Sequence, residues 1–243
     1  MIDIDDVAEI LDKPIWRYMD LWKFERMLEN NGNLFFTRAD KFKDPLEGKL
    51  SEDTLKKIKK EYLLFYGKTY LENWEKLHED SDYLEAVKRN SLISCWHIND
   101  LKNSDMWCSY TNSSQSIAIK TTVRKLYLSL NIFNSNFNIN IKEISYIDFD
   151  NMVIEYNNIL TPLFFKDKRY SFEKELRVIV WKRPENNILK TQLSNFDVDI
   201  GGSLQIDWEN LNIDLYVHPH ADNSFQEKIK NMLSNNDKFT LHF

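Results

Sequence analysis

Residues 15–19 (IWRYM), 20–32 (DLWKFERMLENNG) and 34–37 (LFFT) decide the fold. The first and last of these runs are aromatic and typical of strands. Between them, apolar residues recur at the spacing of one helix face: Leu21, Phe24, Met27 and Leu28. Asp20 stands at the position of an N-cap, and Gly32 is a C-terminal stop. The chain is therefore predicted to open as strand, helix and strand.

Outward from this opening, strands and helices are mixed. The apolar pattern predicts further strands at residues 91–98, 116–121, 141–148, 174–181 and 213–217. It predicts helices near 105–111, 122–130, 149–165 and 223–234, and a helical insertion at 51–90 with one apolar stripe formed by Leu55, Ile58, Tyr62 and Phe65. Such a mixture favours the α+β class. We predict a single domain, 1–243, with a central mixed or antiparallel split sheet flanked by helices.

Composition, charge and the spacing of the cysteines limit what kind of protein this chain is expected to be. The chain has 243 residues, with 32 basic and 38 acidic side chains and a formal net charge of -6, so a contact with nucleic acid needs a local basic patch. The two cysteines, Cys95 and Cys108, do not have the paired spacing of a structural zinc site. The N-terminus has no basic and apolar leader pattern, and no apolar stretch approaches the ~18 residues of a membrane span. We expect a cytoplasmic protein with no membrane partner and no bound metal.

The strongest local signal is KDKRYSFEKELRVIVW at 166–181. A basic cluster leads into alternating charged residues, in the order Lys166, Lys168, Arg169, Glu173, Glu175 and Arg177. On a strand the last three would share one face, and the residues between them, Leu176, Val178 and Val180, would point into the core. One interpretation is an exposed face of paired charges. The other is a cleft edge where two carboxylates ~7 Å apart divide acid and base roles.

Arg17 lies in a run otherwise suited to burial, and a buried guanidinium needs a carboxylate or a phosphate. Aromatic residues could stack on a planar or cationic ligand, or simply fill the core: Tyr18, Trp96, His97, Trp107 and Tyr110. The sequence leaves open whether Arg17 meets a carboxylate or a phosphate, and whether these aromatic residues stack on a ligand or fill the core.

Four blocks of the sequence, 15–48, 94–122, 168–181 and 213–233, resemble a bacterial family catalogued as domain of unknown function 2971. The blocks come in family order and span most of the chain. The family has no settled activity, so this resemblance implies a family for the chain but no function.

The order WRYM, DLWKFERMLENNG, LFFT and EKELRVIV is also similar to the plan of ADP-ribosyltransferases. That resemblance implies NAD as the nucleotide ligand, with Arg17 holding it, Glu175 as the second glutamate of an ExE pair and Glu173 as the acceptor-side carboxylate. The aromatic residues named above would contact the cofactor, with Trp107 or Tyr110 stacking on a ring. Three basic residues would meet a nucleic-acid or protein acceptor: Lys168, Arg169 and Arg177. A toxin or a defence effector would use such chemistry.

Two alternatives come from other classes. A noncatalytic sensor or interaction domain would hold Arg17, Glu173, Glu175 and Arg177 as an internal ion network. A metal-dependent nuclease would assemble its ligands from Asp40, Asp44 and Glu47, with a later glutamate added by the fold. The transferase hypothesis requires Arg17 and Glu175 to face each other across one groove.

Overall fold

A computed structural model describes residues 5–29, 32–79, 81–131, 138–149, 152–155, 158–181, 200–234 and 238–243. The α-helices are α1 (Leu21–Leu28), α2 (Glu52–Tyr66), α3 (Lys68–Glu79), α4 (Ser81–Arg89), α5 (Ser104–Tyr110), α6 (Val123–Asn131), α7 (Trp208–Leu211) and α8 (Asn223–Leu233). The strands are β1 (Pro14–Asp20), β2 (Asn33–Arg38), β3 (Ser91–Ile98), β4 (Ser116–Thr122), β5 (Asn138–Glu143), β6 (Ser145–Ile147), β7 (Phe165–Asp167), β8 (Glu175–Trp181), β9 (Gly201–Gln205), β10 (Ile213–Val217) and β11 (Phe239–His242). Short 3-10 helices of one or two turns cover Asp5–Ile10, Ala39–Lys41, Thr161–Phe164 and Lys168–Glu173.

Nine of the strands in the described ranges form one mixed, mostly antiparallel sheet, in which only β10 and β11 run parallel. Its order is β11-β10-β4-β1-β3-β2-β9, with β8 on the other edge of β3 and β5 beyond β8. β3 pairs with β1 near His97 and with β2 near Ile93, and its other edge pairs with β8. β1 and β2 therefore follow one another along a single edge of β3, and the sheet is split between them. The α+β class and the split sheet are thus confirmed.

Alternation along the strands gives the sheet two different faces. One face carries Leu176, Val178 and Val180 of β8 and packs on α1, α6, α7 and α8 as the main core. The opposite face carries Ile179, which packs on α4 and on the 3-10 turn at Thr161–Phe164. Beside it, Trp16 and Tyr18 of β1 pack on α5. The charged residues of β8 lie on this second face.

The opening strand, helix and strand are confirmed, and Leu21, Phe24 and Met27 of α1 are buried as expected. The insertion at 51–90 is confirmed as α2, α3 and α4. Its apolar stripe is only partly confirmed, because Ile58 is buried but Phe65 is 77% exposed.

The helix predicted at 149–165 is wrong. In the described part of that range the chain has no α-helix; it forms the 3-10 turn at Thr161–Phe164 and enters β7. The strand predicted at 141–148 is divided between β5 and β6. β6 and β7 form a small parallel sheet of their own, and this sheet brings Lys166 to the charged face of the large one. In the described residues no helix has the length and apolar character needed to cross a membrane.

Candidate functional site

A buried charge cluster lies on the second face of the sheet. Its members are Glu47, Lys166, Glu173, Glu175 and Arg177. The Lys166 Nζ donates to Glu173 Oε2 at 2.5 Å and to Glu175 Oε2 at 3.2 Å. The Arg177 Nε donates to Glu175 Oε1 at 2.6 Å, and its Nη2 donates to Glu47. One continuous network therefore joins three carboxylates to two cations.

The cluster has an inner and an outer end. The Arg177 side chain is 1% exposed, and its Nη1 also donates to the Leu163 carbonyl at 2.8 Å. The side chains of Lys166 and Glu173 are 11% and 10% exposed. Only these two members come near solvent, so a ligand would meet the cluster at Lys166 and Glu173.

Local backbone geometry explains how the two glutamates converge. Glu175 and Arg177 alternate on β8, directly opposite His97 and Cys95 of β3. Glu173 is not on the strand: it ends a 3-10 turn, and Lys174 follows in the left-handed conformation with φ of 39°. The expectation of three alternating residues on one strand face is wrong for Glu173. The tight turn at Lys174 nevertheless returns Glu173 to the same side as Glu175.

The pKa values of the two glutamates are shifted in opposite directions. Burial raises the pKa of Glu173, and the nearby Glu175 charge adds to that rise against the opposing effect of Lys166. Burial would also raise the pKa of Glu175, but the charges of Arg177 and Lys166 outweigh it and lower that pKa to about 2. Paired carboxyl groups with separated pKa values are a mark of acid and base assignments in active sites.

A thiol and tyrosines surround the two glutamates. Burial and the nearby charge of Glu175 raise the pKa of the Cys95 thiol. Burial and the nearby charge of Glu173 raise the pKa of Tyr110, while the Tyr146 hydroxyl accepts from the Glu175 backbone N–H at 2.8 Å. Tyr110 is 37% exposed. Among these three residues, Tyr110 alone is exposed rather than half-buried.

His97 is held in one tautomer. Its Nδ1 lies 2.6 Å from the Glu173 carbonyl oxygen, which can only accept, so Nδ1 carries the proton. Burial lowers the pKa of His97 and favours the neutral ring. Its Nε2 is then a buried acceptor, and among the described residues it has no hydrogen-bond partner. The same holds for four other buried atoms: Asp44 Oδ2, Glu47 Oε2, Trp107 Nε1 and Ser129 Oγ. Unsatisfied buried groups of this kind cost about 1–3 kcal/mol each.

Arg17 does not belong to this cluster, and the expectation that it faces Glu175 across a groove is wrong. Its Nη1 donates to Ser94 Oγ at 2.6 Å and its Nη2 to the Phe35 carbonyl at 3.0 Å. Ser94 lies opposite Val178 on the main-core face of β3, whereas Glu175 lies on the other face. The guanidinium occupies the gap between β1 and β2. No carboxylate of the described residues pairs with it, and burial lowers the pKa of Arg17 to about 10.

The aromatic residues expected to contact a nucleotide are mostly buried. Trp96 lies in the main core, on the same face as Ser94. Tyr18 and Trp107 lie on the face of the charge cluster, but they are buried edge-to-face against each other, with ring centroids 4.9 Å apart. Of the five aromatic candidates, Tyr110 alone has a substantially exposed ring.

The three basic residues expected to meet an acceptor have different positions. Lys168 and Arg169 are exposed, and they pair with Asp148 at 2.6 Å and Asp44 at 3.5 Å. Arg177 is at the inner end of the cluster, so its expected contact with substrate is wrong. Its side chain is fully occupied by Glu47, Glu175 and the Leu163 carbonyl.

The acids expected to form a nuclease site do not converge. Asp40 pairs with Arg38, Asp44 with Arg169, and Glu47 with Arg177. In the described part of the chain, no group of three or more histidine, cysteine, aspartate or glutamate side chains could hold a metal ion. These three acids therefore serve as counter-ions of arginines.

Lys166 and Glu47 were singled out by the sequence, but in other roles: Lys166 as part of a basic cluster and Glu47 as a metal ligand. The contribution of Tyr146 and Cys95 was not predicted. Each comes from a different element, so only the tertiary pairing of β3 with β8 and of β6 with β7 reveals it.

No family model, no curated protein and no solved structure matches the chain.

Proposed function

We propose that the chain is an enzyme that breaks the bond between nicotinamide and ribose in NAD and transfers the ADP-ribose, with Glu173 as the carboxylate that meets the ribose. The observation that carries this proposal is the pair formed by Glu173 and Glu175 on one ammonium, with pKa values displaced in opposite directions. The resemblance to ADP-ribosyltransferases implies the leading role for Glu175. Its burial and its ties to Arg177 and Lys166 favour Glu173 instead.

The chemistry fits the charge balance of the cluster. When the C1′–N bond breaks, its electron pair leaves with nicotinamide, which departs neutral, and C1′ acquires oxocarbenium character. Three carboxylates against two cations leave the fully ionised cluster one negative charge in excess, which favours such a cation in a poorly hydrated site. A hydroxyl or amine of the acceptor then bonds to C1′ and releases its proton to solvent.

NAD is proposed as the substrate because of the similarity in plan to ADP-ribosyltransferases. For the acceptor, the exposed Lys168 and Arg169 lie on the 3-10 turn that ends at Glu173, where they would meet an acidic surface such as nucleic acid or an acidic protein. A role as a toxin or a defence effector belongs to the same proposal.

The test compares Glu173→Gln with Glu175→Gln for release of nicotinamide from NAD, with and without single-stranded DNA, RNA and a protein mixture as acceptors. We expect Glu173→Gln to fold normally and to lose at least ~100-fold in rate, the usual contribution of a positioned carboxyl group. We expect Glu175→Gln to lose activity together with stability. Wild-type protein that neither releases nicotinamide nor gains thermal stability from NAD would overturn the proposal.

A noncatalytic domain is the second candidate. It is favoured by the nearly complete burial of Glu47, Glu175 and Arg177, which bond to one another as a structural ion network does. Under this alternative, NAD does not bind and Glu173→Gln changes no property beyond a small shift in melting temperature. The same pair of variants therefore separates the two candidates.

A further inference from the structure

The Lys166 ammonium lies between the carboxylates of the cluster. It contacts Glu173 at 2.5 Å and Glu175 at 3.2 Å, and Glu47 lies 3.9 Å away. The Tyr170 ring is 4.8 Å from the same nitrogen. Lys166 is the middle residue of β7, so its position depends on the small sheet with β6 rather than on the large sheet that holds Glu175.

We propose that Lys166, which the small sheet of β6 and β7 holds beside the cluster, is a positioning residue that orients Glu173 and sets its ionisation. The effect on catalysis rests on the proposed function. The effect on ionisation does not, because it follows from the contacts of the unliganded protein.

Lys166 is the one cation among the described residues that hydrogen-bonds the Glu173 carboxylate. Glu175, Tyr110 and Tyr146 interact electrostatically with Glu173, and the His97 ring is hydrogen-bonded to its main-chain carbonyl. The other charged or titratable groups in and around the cluster interact with its remaining members or with His97: Arg177, Cys95, Glu47, Tyr170 and Lys174. Arg177 is committed to Glu175 and Glu47. Loss of the Lys166 charge would therefore leave the charge of Glu175 acting on Glu173 without compensation.

The sign of the effect follows directly. An opposite charge at this distance lowers the pKa of a carboxyl group by about 1–3 units, and a like charge raises it. Burial raises the pKa of Glu173, and Lys166 opposes that rise. Removing the ammonium should therefore raise the pKa of Glu173 further and delay its ionisation to higher pH.

The experiment is a carboxyl-carbon NMR titration of the full chain, with Glu173 assigned by its loss in Glu173→Gln. We expect Lys166→Met to raise the pKa of Glu173 by about one unit or more, and Lys166→Arg to restore most of the wild-type value. Lys168→Met is the matched control, because it removes an exposed lysine two residues away, and it should leave the Glu173 titration unchanged. An unchanged midpoint in Lys166→Met would overturn the inference.

A second measurement covers the case in which Lys166→Met does not fold. In wild-type protein the Lys166 side-chain nitrogen resonance should shift with the midpoint of Glu173, since the two groups share a hydrogen bond. A nitrogen resonance that ignores that midpoint would overturn the inference without any variant.

Activity supplies the third readout. If NAD is cleaved, the acid limb of the rate profile should move to higher pH in Lys166→Met and return in Lys166→Arg, which a purely structural loss would not produce. A shifted Glu173 midpoint in a protein that never cleaves NAD would refute the proposed function alone. Cleavage with an unmoved acid limb would refute the role of Lys166 alone.

Discussion

Glu175 links the stability of the protein to pH. Its pKa in the folded chain is about 2, against 4.5 for the model compound, because Arg177 and Lys166 outweigh the cost of burial. A carboxyl group whose pKa is lowered by folding stabilises the protein above its unfolded pKa. That stabilisation is lost as pH falls through the interval between the two values.

We predict that wild-type protein loses about 3 kcal/mol of unfolding free energy through Glu175 as the pH falls from about 4.5 to 2. Glu173 acts in the opposite direction, because its pKa is raised and its ionisation disfavours the folded state. Denaturant unfolding over this pH range should show a flatter acid limb in Glu175→Gln than in wild type. A Glu175→Gln protein with the wild-type slope would contradict the assignment.

Arg17 illustrates how a half-buried charge can be satisfied without a carboxylate. It bridges the separated strands β1 and β2 by donating to the Phe35 carbonyl, and it reaches β3 through Ser94. The Trp96 ring lies 5.7 Å from its guanidinium carbon. These contacts give Arg17 a structural role in the split of the sheet, on the face away from Glu173.

At the scale of elements, the turn from the 3-10 helix into β8 determines where Glu173 points. Lys174, with φ of 39° and ψ of 56°, is in the left-handed region that costs a residue with a Cβ about 1–2 kcal/mol. Its backbone N–H donates to the Ser171 carbonyl, and its carbonyl accepts from the Ile98 N–H at 2.9 Å. Hydrogen bonds of both the N–H and the carbonyl of Lys174 therefore stabilise this strained conformation.

We predict that Lys174→Gly stabilises the protein or leaves it unchanged, whereas Lys174→Val destabilises it by about 1–2 kcal/mol, because glycine tolerates this conformation and a β-branched residue does not. Lys174→Ala provides the reference between them. The measurement is the unfolding free energy of the three variants in denaturant. Equal stabilities for glycine and valine would show that position 174 is not left-handed in solution.

The same turn shows what the sequence could predict. Alternation along 174–181 correctly placed Leu176, Val178 and Val180 in the core, because period-2 burial is a local property of a strand. It misplaced Glu173, because nothing in the residue type of Lys174 signals a left-handed conformation. The helix expected at 149–165 is wrong, because Pro162 lies in a 3-10 turn that begins at Thr161 and the short strand β7 pairs with β6.

The candidate site was less predictable than the fold. Glu173 and Glu175 were identified from their spacing, and both lie in the cluster. Arg17 was assigned to the same groove because strand order alone does not say on which face of a split sheet a side chain lies. Lys166 and Glu47 reach the glutamates only through tertiary contacts between distant elements.

At the scale of the whole molecule, the tip of the helical insertion leaves apolar residues in solvent. Around the end of α2 and the start of α3, large side chains are more than half exposed: Leu64, Phe65, Tyr66 and Tyr70. Tyr66 is in contact with Tyr62 and Tyr70, at centroid distances of 5.3 and 6.1 Å. Large apolar side chains exposed within one short stretch of chain promote association of a free protein.

We predict that Leu64→Ser combined with Phe65→Ser reduces concentration-dependent association and changes the unfolding free energy by no more than about 0.5 kcal/mol, as expected for exposed positions. Ile58→Ser on the same helix is the contrasting variant, because Ile58 is buried against Leu50 and should lose about 2 kcal/mol or more. Light scattering across a concentration series measures the first effect, and denaturant unfolding measures the second. If the double variant instead unfolds as readily as Ile58→Ser, residues 64 and 65 are buried in solution, and α2 and α3 pack differently from the arrangement that leaves Phe65 77% exposed.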